Sequence, residues 1–149
     1  MPNNTLLSRL ISDHPLFHFK EAANFAWSAD HQTIFWSSSD PAHLLHELGH
    51  ALLSHAAFTR DIELLGMERD AWQKARQLAN HYDITISTDT IEDDLDTYRE
   101  WLHARSTCPV CEMNGIQIAE HLYECIMCAA KWRVNDARIC GLKRTLIHK

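Results

Sequence analysis

His46-Glu47-Leu48-Gly49-His50 sets two imidazoles four residues apart, with a carboxylate beside the first. Positions four apart share one face of a helix, so His46 and His50 can grip a single metal ion. Glu47 then stands where it can take a proton from water attacking at that ion. The chemistry of such a trio is metal-assisted hydrolysis, provided that the segment is helical and a third protein ligand exists. The helix has a start signal: Asp40 suits the N-cap and Pro41 the first helical position. A helix over 42–56 would turn Leu44, Leu45, Leu48, Ala51 and Leu52 inward. Gly49 is a poor helix former, costing about 1 kcal/mol against Ala, and its missing side chain leaves room for close packing beside the metal.

Catalytic zinc usually takes three protein ligands, and the third defines the class. A three-histidine site of the metzincin type needs a His six residues after His50, but position 56 is Ala56. His55 is displaced by one, and Leu53 stands where that pattern wants glycine. The next helix, expected over 62–81, carries Leu64, Leu65, Ala71, Trp72, Ala75, Leu78 and Ala79 as its apolar stripe. Glu68 and Asp70 lie about 200° apart around it, so only one can face the core. Glu68 sits within the stripe and Asp70 among Gly66, Gln73, Lys74 and Gln77. A buried carboxylate needs a partner or a metal. Glu68 is therefore the expected third ligand and Asp70 the alternative. His43 is one turn before His46, as an outer-sphere group would be. His55 and His81 read as ordinary core or surface residues.

A second metal signal lies near the C-terminus. Cys108-Pro109-Val110-Cys111 and Cys125-Ile126-Met127-Cys128 form two Cys-x-x-Cys knuckles separated by 13 residues. Such pairs predict a tetrahedral structural zinc site, here in a zinc ribbon with strands around His121-Leu122-Tyr123 and Lys131-Trp132-Arg133-Val134. A module over 105–149 has too little core to hold itself, so metal should supply its folding energy. Cys140 is left over as a free thiol.

The elements that must position these groups are legible in outline. Leu6, Leu7, Leu10 and Ile11 suggest a short helix over 3–12. Residues 25–28 and 33–37 alternate as two strands of a hairpin. Ile84-Thr85-Ile86 suggests another short strand. A third long helix is expected over 89–105, with Asp89 and Glu92 at capping-box spacing and Ile91, Leu95, Tyr98, Trp101 and Leu102 buried.

The 149 residues allow one core and a small second module. Hydrophobic residues make up 46% and charged residues 23%, ordinary for a soluble protein, and no apolar run approaches a membrane span. Residues 1–104 hold seven Lys/Arg against sixteen Asp/Glu, a net −9, whereas 105–149 hold seven against four, a net +3. The basic tail, with Trp132, Arg133, Arg138, Lys143 and Arg144, suggests a nucleic-acid or protein partner. Five cysteines, eleven histidines and an opening without a secretory pattern point to metal binding in the cytoplasm.

The stretch Leu44-Leu45-His46-Glu47-Leu48-Gly49-His50-Ala51-Leu52-Leu53-Ser54-His55, together with Glu68-Arg69-Asp70-Ala71, resembles the ImmA/IrrE family of metallo-endopeptidases. The likeness covers roughly residues 20–80. It implies an α+β fold: a zincin-like metallopeptidase domain over 1–104, its short sheet including Ile34-Phe35-Trp36, ahead of the ribbon. It implies catalytic Zn2+ on His46, His50 and Glu68, the last on a Glu-x-x-Ala helix. It also implies cleavage of a specific protein, such as a DNA-binding transcriptional repressor. The family pattern of Asn or Asp and then Phe-Ala is replaced here by Trp72-Gln73-Lys74-Ala75, so substrate choice does not carry over. Tyr82, Tyr98 and His81 are candidates for stabilising an oxyanion. The competing expectation is an adaptor whose ribbon binds nucleic acid or protein and whose peptidase-like site is silent.

Overall fold

The computed structural model describes residues 2–38 and 40–148, and side chains from Thr5 onward. In chain order its elements are α1 (Pro2–Asp13), β1 (His18–Glu21), β2 (Ala26–Ser28), β3 (Thr33–Trp36), α2 (Pro41–Leu52), α3 (Asp61–Tyr82), α4 (Thr88–Ser106), β4 (Ile116–Ala119), β5 (Leu122–Glu124), β6 (Lys131–Val134) and β7 (Arg144–Leu146). The fold class is mixed α+β, with two small sheets among the described residues. No described helix is long and apolar enough to cross a membrane. Two compact units emerge: Met1–Ala57 with Gly66–Ile91, and Phe58–Leu65 with Glu92–Lys149. The division between these units runs inside α3 and α4. Most of α4 groups with the cysteine module because contacts such as Trp132 Nε1 donating to Arg105 O (2.9 Å) tie them together.

In the first unit β2 and β3 pair antiparallel, Trp27 opposite Ile34, as the alternation of residues 25–37 predicts. β1 is an addition to that hairpin. It pairs parallel with β3, which makes β3 the central strand of the order β1-β3-β2. β1 is mostly exposed, so it lacks the in–out alternation that marks a half-buried strand. Ile34 is fully buried at the sheet centre, and Leu44, Leu45, Leu48 and Ala51 supply the apolar face of α2. α2 starts where the sequence says. Asp40 has extended backbone, its Oδ1 accepts from the Ala42 N–H at 2.9 Å, and Pro41 follows.

α2 ends earlier than expected, at Leu52 and not at residue 56. Ser54 takes a left-handed backbone (φ 56°), the Ser54 N–H bonds to Ala51 O and the His55 N–H to His50 O at 3.0 Å. This is a Schellman stop with Ser in the usual glycine position. Two further expectations give way. Residues 84–86 form no strand: Asp83 is left-handed and the Ile84 N–H closes α3 by bonding to Ala79 O. The cap of α4 is Ser87, whose Oγ accepts from the Thr90 N–H at 3.1 Å, and not Asp89.

In the second unit β4-β5-β6-β7 form an antiparallel sheet in sequence order. Tyr123 and Trp132 stack across it at 5.8 Å, with Cys108, Cys125 and Val134 completing the buried cluster. Gly115 is required there: a Cβ would meet Glu124 O at 2.5 Å and the Trp132 ring at 2.6 Å. At the start of α3, buried Asp61 accepts from Arg105 Nε at 2.8 Å and from the Tyr123 hydroxyl at 2.6 Å. Burial first, and then this bond to Asp61, push the Tyr123 hydroxyl pKa far up. Arg105 also donates to Asn135 O at 2.6 Å. Removing one partner of a buried pair leaves the other charge uncompensated. Asp61→Ala should therefore cost about 3–5 kcal/mol, read as a lower unfolding midpoint in denaturant.

Candidate metal centres

Three side chains from two helices meet in the first unit. His46 Nε2 lies 2.9 Å from Glu68 Oε2 and 3.1 Å from His50 Nε2, and His50 Nε2 lies 3.3 Å from Glu68 Oε1. His46, His50 and Glu68 are all buried, at 3%, 8% and 6% exposure. Donor atoms with those separations match the edges of a tetrahedron with bonds of about 2 Å, so the set fits a metal ion. Asp70 is not among them. Its carboxylate is 46% exposed and pairs with Arg69 on the outer side of α3. The inward carboxylate is thus Glu68, the one that lies within the apolar stripe.

The close approach of the two helices depends on Gly49. A Cβ there would fall 2.6 Å from Ala71 O, inside any real contact distance. Any side chain at 49 would push away the stretch of α3 that carries Glu68.

The carboxylates of Glu68 and Glu47 are driven apart electrically. Burial alone would raise Glu68, but hydrogen bonds from His46 and His50 and the nearness of both rings hold its pKa down at about 2. Burial dominates at Glu47 and raises its pKa against the pull of His46 and His50. The two rings thus favour the charged form of Glu68, which suits a cation, while burial gives the half-buried Glu47 a higher proton affinity. Glu47 is not among the converging ligand atoms.

The surrounding rings hold the histidines in place. Trp72, almost wholly buried, stacks on His46 with centroids 4.3 Å apart. His43 packs edge-on against Trp72, and its Nδ1 bonds to Asp40 Oδ2, so Asp40 caps the helix with one oxygen and orients His43 with the other. His55 is not the ordinary residue that its spacing suggests. Its Nδ1 lies 2.8 Å from His50 Nδ1. Burial and the neighbouring His50 lower the His55 pKa. Two of the oxyanion candidates stand well along α3 from the ligands. Tyr82 and His81 follow Glu68 on α3 by about 20 Å of helix rise, and the Tyr82 hydroxyl donates to Asp13 at 2.7 Å. Tyr98 lies in the second unit under the Arg138 guanidinium.

The second centre is built from two equivalent turns. In each, the first cysteine's Sγ accepts an amide N–H two residues on at 3.4 Å, from Val110 in one knuckle and Met127 in the other. In each, the residue four on, Glu112 or Ala129, is left-handed and donates to the first cysteine's carbonyl. Each first cysteine also donates its own N–H to a carbonyl five residues on, at 2.8 Å. The turns bring Cys108 within 3.6 Å of Cys128 and Cys111 within 3.4 Å of Cys125, with no disulfide. Four thiolates at such separations suit one ion. The Cys128 N–H, with that of Met127, outweighs burial and draws the Cys125 thiol down to about 7. Cys140 is exposed and stands apart from this set.

Trp132 cannot serve as a stacking platform for bases. It is fully buried, and its indole N–H is spent on Arg105 O. Arg144 donates to Thr107 O at 2.6 Å. Comparison with protein-family models, with curated proteins and with solved structures finds no match.

Proposed function

We propose that the chain is a zinc-dependent metallo-endopeptidase of the ImmA/IrrE type, with a zincin-like catalytic unit and a structural zinc ribbon. The observation that carries this reading is the convergence of His46, His50 and Glu68 beside the half-buried Glu47. A purely structural metal site has no need of a base at that position. The resemblance across residues 44–55 and 68–71 points the same way.

His46 and His50 would offer neutral nitrogens and Glu68 one negative charge, a donor set suited to Zn2+. Bound zinc would supply Lewis acidity toward the scissile carbonyl and make water a better acid. Glu47 takes the proton of the attacking water on its carboxylate as the C–O bond forms. It then returns that proton to the amine nitrogen as the C–N bond breaks. The outer edge of β2 offers backbone groups to an extended peptide, which is the form a protease requires of its substrate. A DNA-binding repressor is the substrate class that the family resemblance suggests. Five cysteines without a disulfide fit a reducing compartment such as the cytoplasm.

A second reading has one observation in its favour. The knuckle tips expose Val110, Ile126 and Met127, apolar groups that suit a protein-docking module. Docking and catalysis are compatible if the ribbon recruits the substrate.

The test compares a cell lysate incubated with wild type, with Glu68→Ala and with Asp70→Ala, metal content being measured in parallel. Glu68→Ala should carry one metal ion fewer per chain and generate no new protein termini. Asp70→Ala should behave as wild type. New termini that persist in the metal-depleted Glu68→Ala protein would overturn the reading.

A further inference from the structure

We infer that His55 is the positioning residue for the metal ligand His50, locking the ring in the tautomer that presents Nε2 to the ion. The inference rests on the proposed metal centre and extends it by a residue that the His-Glu-x-x-His pattern does not contain.

The geometry begins in the backbone. The Schellman stop at the end of α2 reverses the chain at Ser54, and the His55 N–H bonds to the carbonyl of His50 at 3.0 Å. Residue 55 is thereby folded back over residue 50. The two imidazoles follow, with centroids 5.1 Å apart and the Nδ1 atoms 2.8 Å apart. A third bond fixes the position from the sheet, because the Trp27 indole N–H donates to His55 O at 2.9 Å. Trp27 is itself held edge-on against Phe17 at 5.5 Å. A non-glycine residue in the left-handed region is unfavourable, and here it serves to bring His55 to His50.

The chemistry assigns the protons. His50 turns Nε2 toward His46 and Glu68. A ring that ligates through Nε2 carries its proton on Nδ1, and in His50 that N–H has the His55 ring within hydrogen-bond reach. The atom that the His55 ring sets against it at 2.8 Å is Nδ1, so that nitrogen must be bare and the His55 proton must reside on Nε2. In most metal sites a carboxylate or a carbonyl takes this role. A neutral imidazole accepts the same N–H without adding a charge to a centre that already holds Glu68 and Glu47. His46 has no counterpart: its Nδ1 is buried without a hydrogen-bond partner among the described residues, and its ring is steadied by stacking on Trp72. His50 is thus the ligand whose orientation depends on a hydrogen bond.

The test uses the full chain and zinc as probe. Affinity is measured by competition with a chromophoric chelator for wild type, His55→Ala and His55→Asp, with the four-cysteine ion as internal reference. His55→Ala should weaken binding at the His46/His50/Glu68 centre by about 10–100-fold and leave the four-cysteine ion in place. In His55→Asp a carboxylate oxygen replaces Nδ1 at the same distance from the backbone, and affinity should recover to within a few-fold of wild type. Two-bond 1H–15N spectra of the zinc-loaded wild type should show His55 protonated on Nε2 alone. Unchanged affinity in His55→Ala, equal weakening in both variants, or His55 protonated on Nδ1 would each overturn the assignment. Wild type that takes up the four-cysteine ion alone would instead overturn the metal centre on which the assignment stands.

Discussion

Cys108→Ala is expected to dissolve the β4–β7 sheet while α2 and its neighbours in the first unit stay folded. Cys108 is fully buried and contributes one of four converging sulfurs. Among the described residues the buried cluster around it comprises Tyr123, Trp132, Val134 and a second zinc-ligating candidate, Cys125, with part-buried Ala130 packed against it. Three apolar side chains contribute about 1.5–3 kcal/mol each, which falls far short of the entropy lost in ordering the strands and knuckles around them. Structural zinc in small domains supplies about 10–16 kcal/mol of apparent binding energy, and that energy is folding energy when the unfolded chain has no preformed site. Loss of dispersed amide signals from residues 107–147, with those of residues 41–52 retained, is the expected spectrum. A chelator should reproduce it in wild type. Retention of the dispersed signals in the metal-free variant would show that the stacked Tyr123–Trp132 pair holds the sheet by itself.

Glu47→Gln should have the largest effect on catalysis. Gln has the shape of Glu but cannot take a proton from water, and Glu47 is not among the converging ligand atoms. Both ions should therefore remain while peptide cleavage falls by about 10²–10⁴-fold, the range for a general base. That corresponds to about 3–5 kcal/mol of transition-state stabilisation. Loss of activity accompanied by loss of metal would place Glu47 among the groups that hold the ion, and not in proton transfer.

What is legible in the sequence, and what is not, follows from how far each signal reaches along the chain. The helix of the motif is legible because Asp40, Pro41 and the apolar spacing act within one or two turns. Glu68 is distinguished from Asp70 by its place in an apolar stripe, again a local pattern, and the structure turns it inward. The four-cysteine cluster is legible because each knuckle is self-contained. Pairings across the chain leave no such trace. β1 joins β3 over fifteen positions without an alternating pattern of its own. Asp61, Arg105 and Tyr123 meet from three separate elements, and nothing adjacent to any of them announces the trio. His55 fails the three-histidine spacing and so carries no signal of its own. The left-handed turn at Ser54, which serine disguises where glycine would have signalled it, is what carries it back to His50. Residues 84–86 mislead in the opposite sense, since their alternation has no partner strand among the described residues.

Peptide-bond hydrolysis at the His46/His50/Glu68 centre with Glu47 as base is the activity proposed for the chain. Its most direct test is mass spectrometric detection of new protein termini in a lysate incubated with purified wild type or Glu47→Gln at equal zinc content. New termini are expected with wild type and none with Glu47→Gln. Termini of the same identity and abundance in both samples would contradict the proposed activity.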